Sequence, residues 1–178
     1  MSVIVSQGIS PYKVSSGHTD SGDVVVSGGS MFVLSAGVAS ATTVSSGGFL
    51  TINKGGSGSG SHLLGGNETI SGTETGDFIE SGGSQRVLAP GKAISTTVDS
   101  SGTLTVLSGG TASAAIVNNG GNMLVAKGGV VAGVTINTGA VVSNAGIVKA
   151  NALSSAAVGG VVTTKRWAAA RLSGFSAA

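Results

Sequence analysis

The sequence predicts an all-β chain of short stacked repeats, a parallel β-solenoid, and its composition points the same way. Glycine takes 32 of 178 positions, whereas only 9% of the residues are charged and 3% are aromatic. A helical bundle could not carry so much glycine, which costs about 1 kcal/mol per helical site relative to alanine. A disordered linker would lack regularly placed β-branched residues. The absence of cysteine excludes a disulfide framework and a cysteine-ligated metal.

A repeat of 18 to 19 residues settles the architecture. Each copy combines an apolar pair, small polar residues with glycine, an alternating apolar segment and a second glycine corner. The clearest copies occupy residues 25–37, 44–56, 79–91, 98–110 and 117–129, and weaker copies start near Leu63 and Ile136. A repeat this short cannot bury its own apolar face, so about seven copies must stack on one another.

Each copy is interpreted as two β segments separated by glycine corners. Alternation in the longer segment places Leu104 and Val106 inward and Thr103 and Thr105 outward. Glycine pairs supply the positive φ that tight corners require. Stacking then predicts one interior column, formed by Val33, Ile52, Val87, Val106 and Val125. We predict a right-handed β-helix of about seven coils, roughly 34 Å long at a strand spacing of about 4.8 Å.

Both ends of the chain depart from the repeat. Residues 1–24 are predicted to form irregular capping coils ahead of the β-helix of residues 25–150. Residues 151–178 are predicted to hold a degenerate last coil and a basic tail, helical or disordered. Within this tail, the stretch 167–172 is the one with helical preference.

The charge distribution gives no sign of a nucleic-acid or membrane partner. Residues 1–148 carry five basic and seven acidic side chains, and residues 149–178 carry four basic ones and no acid. Four spread cations are unlike the clustered patch of a nucleic-acid binder. No segment approaches the roughly 20 apolar residues of a membrane helix. The first residues also lack the basic and apolar regions of a signal peptide.

An acidic run is the first candidate for site chemistry. Glu68, Glu74, Asp77 and Glu80 lie close together in sequence, and residues 65–79 faintly resemble calcium-binding nonapeptide repeats. Those repeats need the pattern G-G-x-G-x-D-x-U-x, whose successive turns supply oxygens to the cation. Here the second glycine and the paired aspartates are missing. We therefore expect repeat drift with solvent-facing acids, and no metal or cofactor.

Catalytic residues are sparse. His18 and His62 lie in glycine- and serine-rich contexts, without an acid or nucleophile at a suggestive spacing. Polysaccharide-acting β-helix enzymes carry acidic and basic clusters on one face, and only Arg86 and Lys92 lie near acids here. The sequence therefore predicts an interaction module that is not an enzyme.

One motif carries a family resemblance. Ser-Ser-Gly-Gly, then Leu-Thr-Ile/Val, Gly-Gly, Ala-Ser and Thr-Thr-Val, resembles the strand-loop-strand repeats of AIDA-type autotransporter adhesin passengers. The best matches are residues 38–48 and 103–113, and the pattern covers about 25–150. The resemblance implies a bacterial β-helix, at the cell surface or secreted, that mediates adhesion, self-association and biofilm formation. The signal peptide and membrane β-barrel of that family are not visible in this sequence.

The resemblance also implies a modification. AIDA-type repeats are often O-heptosylated on serine by dedicated cytoplasmic glycosyltransferases. The serines at the matching positions beside the turns are Ser27, Ser46, Ser81 and Ser101. The alternative role for these serines is a hydrogen bond to their own backbone. Two other functions stay open for the whole chain: a calcium-stabilised secreted solenoid and a β-helical polysaccharide-acting enzyme.

Overall fold

Three parallel β-sheets form the walls of a solenoid. The computed structural model describes residues 2–149 and the backbone of residues 161–164. Each circuit of the chain, called a coil below, contributes one strand to each sheet, and every pairing between named strands is parallel. Residues 4–149 make eight such coils. The predicted all-β parallel solenoid is confirmed, and its first coil lies within residues 4–21.

The strands stack in chain order within each sheet. Sheet 1 contains β1 (Ile4–Val5), β4 (Val24–Val25), β7 (Thr43–Ser45), β10 (His62–Leu64), β13 (Phe78–Glu80), β16 (Thr97–Val98), β19 (Ile116–Val117) and β22 (Thr135–Ile136). Sheet 2 contains β2 (Tyr12–Val14), β5 (Ser30–Val33), β8 (Phe49–Ile52), β11 (Asn67–Ile70), β14 (Ser84–Val87), β17 (Thr103–Val106), β20 (Asn122–Val125), β23 (Val141–Asn144) and β25 (Val161–Thr164). Sheet 3 contains β3 (Thr19–Ser21), β6 (Val38–Ser40), β9 (Ser57–Ser59), β12 (Thr73–Thr75), β15 (Lys92–Ile94), β18 (Thr111–Ser113), β21 (Val130–Ala132) and β24 (Ile147–Lys149).

The expectation of two β segments per repeat is wrong, because each coil has three. The strands of sheet 3 were missed. Strands such as β9 and β18 consist of serine, glycine, alanine and threonine. They lack the bulky β-branched and aromatic residues that mark a strand in sequence. Their pairing with the coils above and below, rather than their own propensity, makes them extended.

The predicted interior column is confirmed. Val33 pairs with Ile52, and the column continues through Ile70 to Val87, Val106 and Val125. All of these side chains are buried. Leu104 is buried as well, whereas the Thr103 and Thr105 side chains lie on the outer face. Full burial of a valine or isoleucine side chain contributes about 1.5–3 kcal/mol, so this column supplies much of the stability of the fold.

Glycines at the start of the sheet 2 strands bring successive coils into close contact. A Cβ added at Gly48 would lie 2.6 Å from the carbonyl oxygen of Val25, in the preceding coil. The equivalent Cβ at Gly83 would overlap the carbonyl oxygen of Leu63. No side chain fits at these positions, because backbone from the neighbouring coil already fills the space.

The predicted tail of residues 151–178 lies outside the described residues, apart from the β25 backbone, which pairs with β23. The division into residues 1–24, 25–150 and 151–178 stays a prediction. Within the described part of the chain there is no helix of the length and apolarity that crossing a bilayer would require.

Two adjacent glycines offer a matched test of the close contact. We expect Gly83→Ala to lower the free energy of unfolding by about 3 kcal/mol, because its Cβ would collide with backbone that cannot turn aside. The Cβ added by Gly82→Ala would have no atom of another residue within 4 Å, so the only strain comes from the positive φ of 83° at this position. That strain costs about 1–2 kcal/mol. Urea unfolding followed by circular dichroism measures both. Equal losses for the two variants would contradict the close-contact explanation.

Candidate functional site

The four candidate serines lie on the corner between sheets 1 and 2. All four side chains are exposed: Ser27, Ser46, Ser81 and Ser101. The first three occupy the same position of the corner, two residues after the inward-facing residue of the sheet 1 strand. Ser101 lies one position later, aligned with Gly47, and Ser100 holds the position equivalent to Ser46. Ser27, Ser46 and Ser81 are therefore equivalent in register, Ser101 lies one residue later, and the role of all four as sugar acceptors stays a prediction.

Two corner hydroxyls, those of Ser27 and Ser100, lie against the next coil. The Oγ atom of Ser27 lies 2.8 Å from the place that a Cβ on Gly47 would take, and Ser100 Oγ stands in the same relation to Gly120. Glycine in the following coil thus leaves open space beside the hydroxyl. Because strands in a sheet are about 4.8 Å apart, Ser27 and Ser46 repeat along the corner at that spacing.

The outer face of sheet 2 mixes hydroxyl groups with isolated apolar side chains. Thr51, Thr69 and Thr105 follow one another in register, except that Arg86 interrupts them. The large apolar residues on the same face include Phe49, which is half-exposed, and Leu124. A broad surface of this kind suits contact with another macromolecule better than enclosure of a small substrate.

The two histidines lie on different parts of the surface. His18 is exposed, and its Nδ1 lies 3.3 Å from the carbonyl oxygen of Ser16. The His62 ring stacks on Phe78 with centroids 4.8 Å apart. His62 Nδ1 also lies 4.0 Å from Glu80 Oε1, an acidic neighbour that sequence spacing did not reveal. This pair lies on the outer face of sheet 1, where β10 and β13 bring the residues together.

Three of the four acids in the acidic run lie inside the solenoid, so the expectation that they face solvent is wrong. Glu68, Glu74 and Asp77 are buried, and Glu80 alone is partly exposed. Parallel pairing places Glu68 between Leu50 and Gln85, at an inward position of sheet 2. An inward position is set by the pleat of the strand, whatever the polarity of its side chain.

The acids occupy an unusually short coil. From Val44 to its partner Leu63 the chain takes 19 residues, but from Leu63 to Ile79 it takes only 16. The corner between β11 and β12 contains only Ser71 and Gly72, where the preceding coil has residues 53–56. Coil 4, residues 62–77 including the corner after β12, therefore differs from its neighbours in length as well as in its interior chemistry.

Neutral side chains hold the buried carboxylates in place. Gln85 Nε2 donates to Glu68 Oε2 at 2.8 Å and to Asp77 Oδ2 at 2.6 Å. Ser61 Oγ donates to Glu74 Oε1 at 2.9 Å, and the Ser61 backbone N–H donates to Asp77 Oδ1 at 3.0 Å. Glu68 Oε1 and Glu74 Oε2 are buried without a hydrogen-bond partner. One oxygen from each acid lies within 4.8 Å of the others.

Burial and mutual repulsion both favour the protonated acids. Burial raises the pKa of Glu68 well above its usual range, and the charge of Asp77 raises it further. Burial likewise raises the pKa of Glu74, with the charges of Glu68 and Asp77 adding to the effect. Burial also raises the pKa of Asp77, although hydrogen bonds from the Glu74 side chain, from Ser61 and from Gln85 oppose the shift. The cluster therefore needs protons or a cation to offset its charge.

The buried cluster had a detectable sequence signal. Aligning residues 66–70 with residues 48–52 places Glu68 at the position of Leu50, which alternation already assigns to the interior. The partial resemblance to a calcium-binding repeat suggested instead that these acids lie in exposed turns.

Comparison with known proteins finds a family that matches the repeats. Residues 59–121 and 100–140 match the family AIDA, described as "adhesin of bacterial autotransporter system, probable stalk". The repeats of residues 59–140 are similar to those of this stalk family. The resemblance seen in the sequence is therefore confirmed over residues 59–140. The matched family is described as an adhesin stalk, which supports the expectation of an adhesin-like passenger segment.

A solved structure supports the fold of this chain. The chain is similar to a crystal structure of a TibA fragment that was hyper-glycosylated in a reaction catalysed by TibC. The two share 24% sequence identity at a TM-score of 0.68, over 85% of this chain and 80% of the other. At this identity the likeness shows the fold. A search of curated proteins found no match.

The raised pKa values predict an unusual pH dependence of stability. In a buffer containing a chelator, Glu68 and Glu74 bind more protons in the folded than in the unfolded state. Their contribution is therefore fully present below the unfolded pKa of about 4.3, and it is lost as pH rises towards the folded pKa. Urea unfolding between pH 4 and pH 9 should show a falling midpoint.

Carboxyl-to-amide variants supply the control for this measurement. Glu68→Gln combined with Glu74→Gln should flatten the pH dependence, leaving a residual slope from Asp77 and Asp23, whose pKa values burial also raises. Glu80→Gln, in the same acidic run but partly exposed, should retain the wild-type slope. A wild-type stability that stays constant or rises over this range would contradict the assignment.

Proposed function

We propose that this chain is a segment of a bacterial surface adhesin, and that it mediates adhesion or self-association through its outer faces without catalysis. The observation that carries the proposal is the regular AIDA-type stalk with serine corners and mixed hydroxyl and apolar faces. A stalk holds these groups in fixed register, so that weak contacts repeat along its length. Repeated weak contacts add to a strong attachment when they engage together.

Glycosylation is the second part of the proposal. Ser27, Ser46, Ser81 and Ser101 are the proposed acceptors of O-linked sugar, and a glycosyltransferase is the proposed partner. Support comes from their exposure at one corner and from the similar TibA fragment, which carries sugar added by TibC. An exposed hydroxyl column leaves room for bulky substituents without disturbing the hydrogen-bond ladder of the sheets. The register also makes Ser100 a comparison site for Ser101.

Self-association has a structural route at the first coil. Within the described residues, β1, β2 and β3 each pair with another strand on one side only. An open strand edge can pair with a second chain through its free N–H and C=O groups. Ile4 and Ile9, both at least half-exposed, lie near this edge and add apolar area to it.

A single strain comparison tests adhesion and glycosylation together. Native cells that carry serine-to-alanine changes at all four corner positions are compared with wild-type cells, after separation of surface and cytosolic fractions. We expect wild-type protein in the surface fraction with heptose-sized mass additions, and a variant that has lost them. The wild-type cells should also settle or attach faster than cells lacking the gene.

A matched control uses serines of the next corner. Ser16, Ser35 and Ser108 are exposed on the corner between sheets 2 and 3, and their alanine variants should keep both the mass additions and the settling rate. An unmodified mass would overturn the glycosylation proposal. Protein confined to the cytosol, or equal settling of wild-type and deletion cells, would overturn the adhesion proposal.

A further inference from the structure

We propose that Glu68, Glu74 and Asp77 bind one divalent cation of the calcium class inside coil 4 of the solenoid. The bound ion would stabilise the short coil. It would lie within the coil, enclosed by all three sheets, and would not lie in exposed turns as in the nonapeptide pattern. The proposal is independent of adhesion and of glycosylation.

The geometry suits a calcium-sized ion. The nearest oxygens of the three carboxylates lie within 4.8 Å of one another. Calcium binds oxygen at 2.3–2.6 Å, so two of its ligands can be at most about 5 Å apart. Magnesium binds at about 2.1 Å with a strict octahedral geometry and keeps several waters. An all-oxygen ligand set without histidine or cysteine selects a hard cation over zinc or copper.

Two carboxylate oxygens of the cluster make no hydrogen bond and are available to such an ion. Four of the six carboxylate oxygens accept bonds from Gln85 or Ser61. The remaining two, Glu68 Oε1 and Glu74 Oε2, are buried and have no partner. Leaving a buried acceptor unsatisfied costs about 1–3 kcal/mol, and more when the group is charged. A cation that accepts these lone pairs would remove that cost.

Protein side chains do not supply the balancing positive charge. In the described residues, the buried polar and charged side chains include no lysine, arginine or histidine. The cationic residues on the adjacent strands, Arg86 and Lys92, point outward. His62, whose charge lowers the pKa of Asp77, also lies on the outer face and is not part of the buried cluster. Three ionised carboxylates would carry a charge of −3, which a buried site cannot hold unpaired. A divalent ion leaves one negative charge, and the hydrogen bonds from Gln85 and Ser61 stabilise that remainder.

A glycine makes the space for this cluster. Gly58 in β9 is the sheet 3 partner of Glu74 in the preceding coil. In the two coils that follow Glu74, the equivalent residues are Ala93 and Ala112. A Cβ at Gly58 would overlap the Glu74 carboxylate. This glycine has no positive φ requirement, so its lack of a side chain serves the carboxylate rather than the backbone.

Calcium titration of the whole chain tests the proposal. The protein is stripped with chelator at pH 8, dialysed, and titrated with calcium chloride, with magnesium chloride in parallel. We expect one saturable calcium site per chain by calorimetry and by elemental analysis after desalting. At a calcium concentration 100-fold above Kd, the thermal unfolding midpoint should rise by roughly 5–10 °C.

Two variants separate a specific site from general salt effects. Glu68→Gln with Glu74→Gln should remove calcium binding and the thermal shift, while Glu80→Gln should keep both. If the double variant does not fold, the metal content and titration of the wild-type protein decide the matter. No binding, with an unfolding midpoint unchanged by calcium or chelator, would overturn the proposal and assign the cluster to shared protons.

Discussion

The close approach of corner glycines to the backbone of the preceding coil is the constraint on which this structure depends. At Gly48 and the equivalent glycines the neighbouring carbonyl occupies the space that a side chain would need, and only the last coil has an alanine, Ala140, at this position among the described coils that follow the first. The contact fixes how far each coil advances and therefore keeps the three parallel ladders in register. Once the register is fixed, alternation along each strand decides which side chains are buried and which are displayed.

The corner serines lie on the surface and the acidic cluster lies in the interior, so the two candidate regions have different roles. Outward positions and corners such as Ser27 and Ser46 can change chemistry without disturbing the ladders, so they suit recognition and modification. Inward positions are held to a narrow apolar interior, and Glu68, Glu74 and Asp77 depart from it. Proteins tolerate buried carboxylates where a specific partner offsets their charge, which is why the departure points to a role.

The sequence predicts some features of this fold and not others. Glycine pairs and alternation at Thr103–Val106 predicted the solenoid and its interior column, because both are local rules of backbone and burial. Strands such as β9 were missed, since serine and glycine carry no strand signal and become extended only through pairing with other coils. Glu68 lies in register with Leu50 and could have been assigned to the interior, whereas Glu74 and Asp77 follow the shortened corner of coil 4 and their register emerges only when the coils are stacked. Ser101 shows the same limit at a single position.

Surface labelling of intact native cells tests the central claim, that this solenoid displays its outer faces and corners outside the cell. Lys54, Lys92 and Lys127 are exposed on corners and outer strands, so a membrane-impermeant amine reagent can reach them only if the chain lies outside. The account predicts equal labelling of these lysines in intact and lysed cells, measured by peptide mass spectrometry. Labelling that appears only after lysis would contradict it.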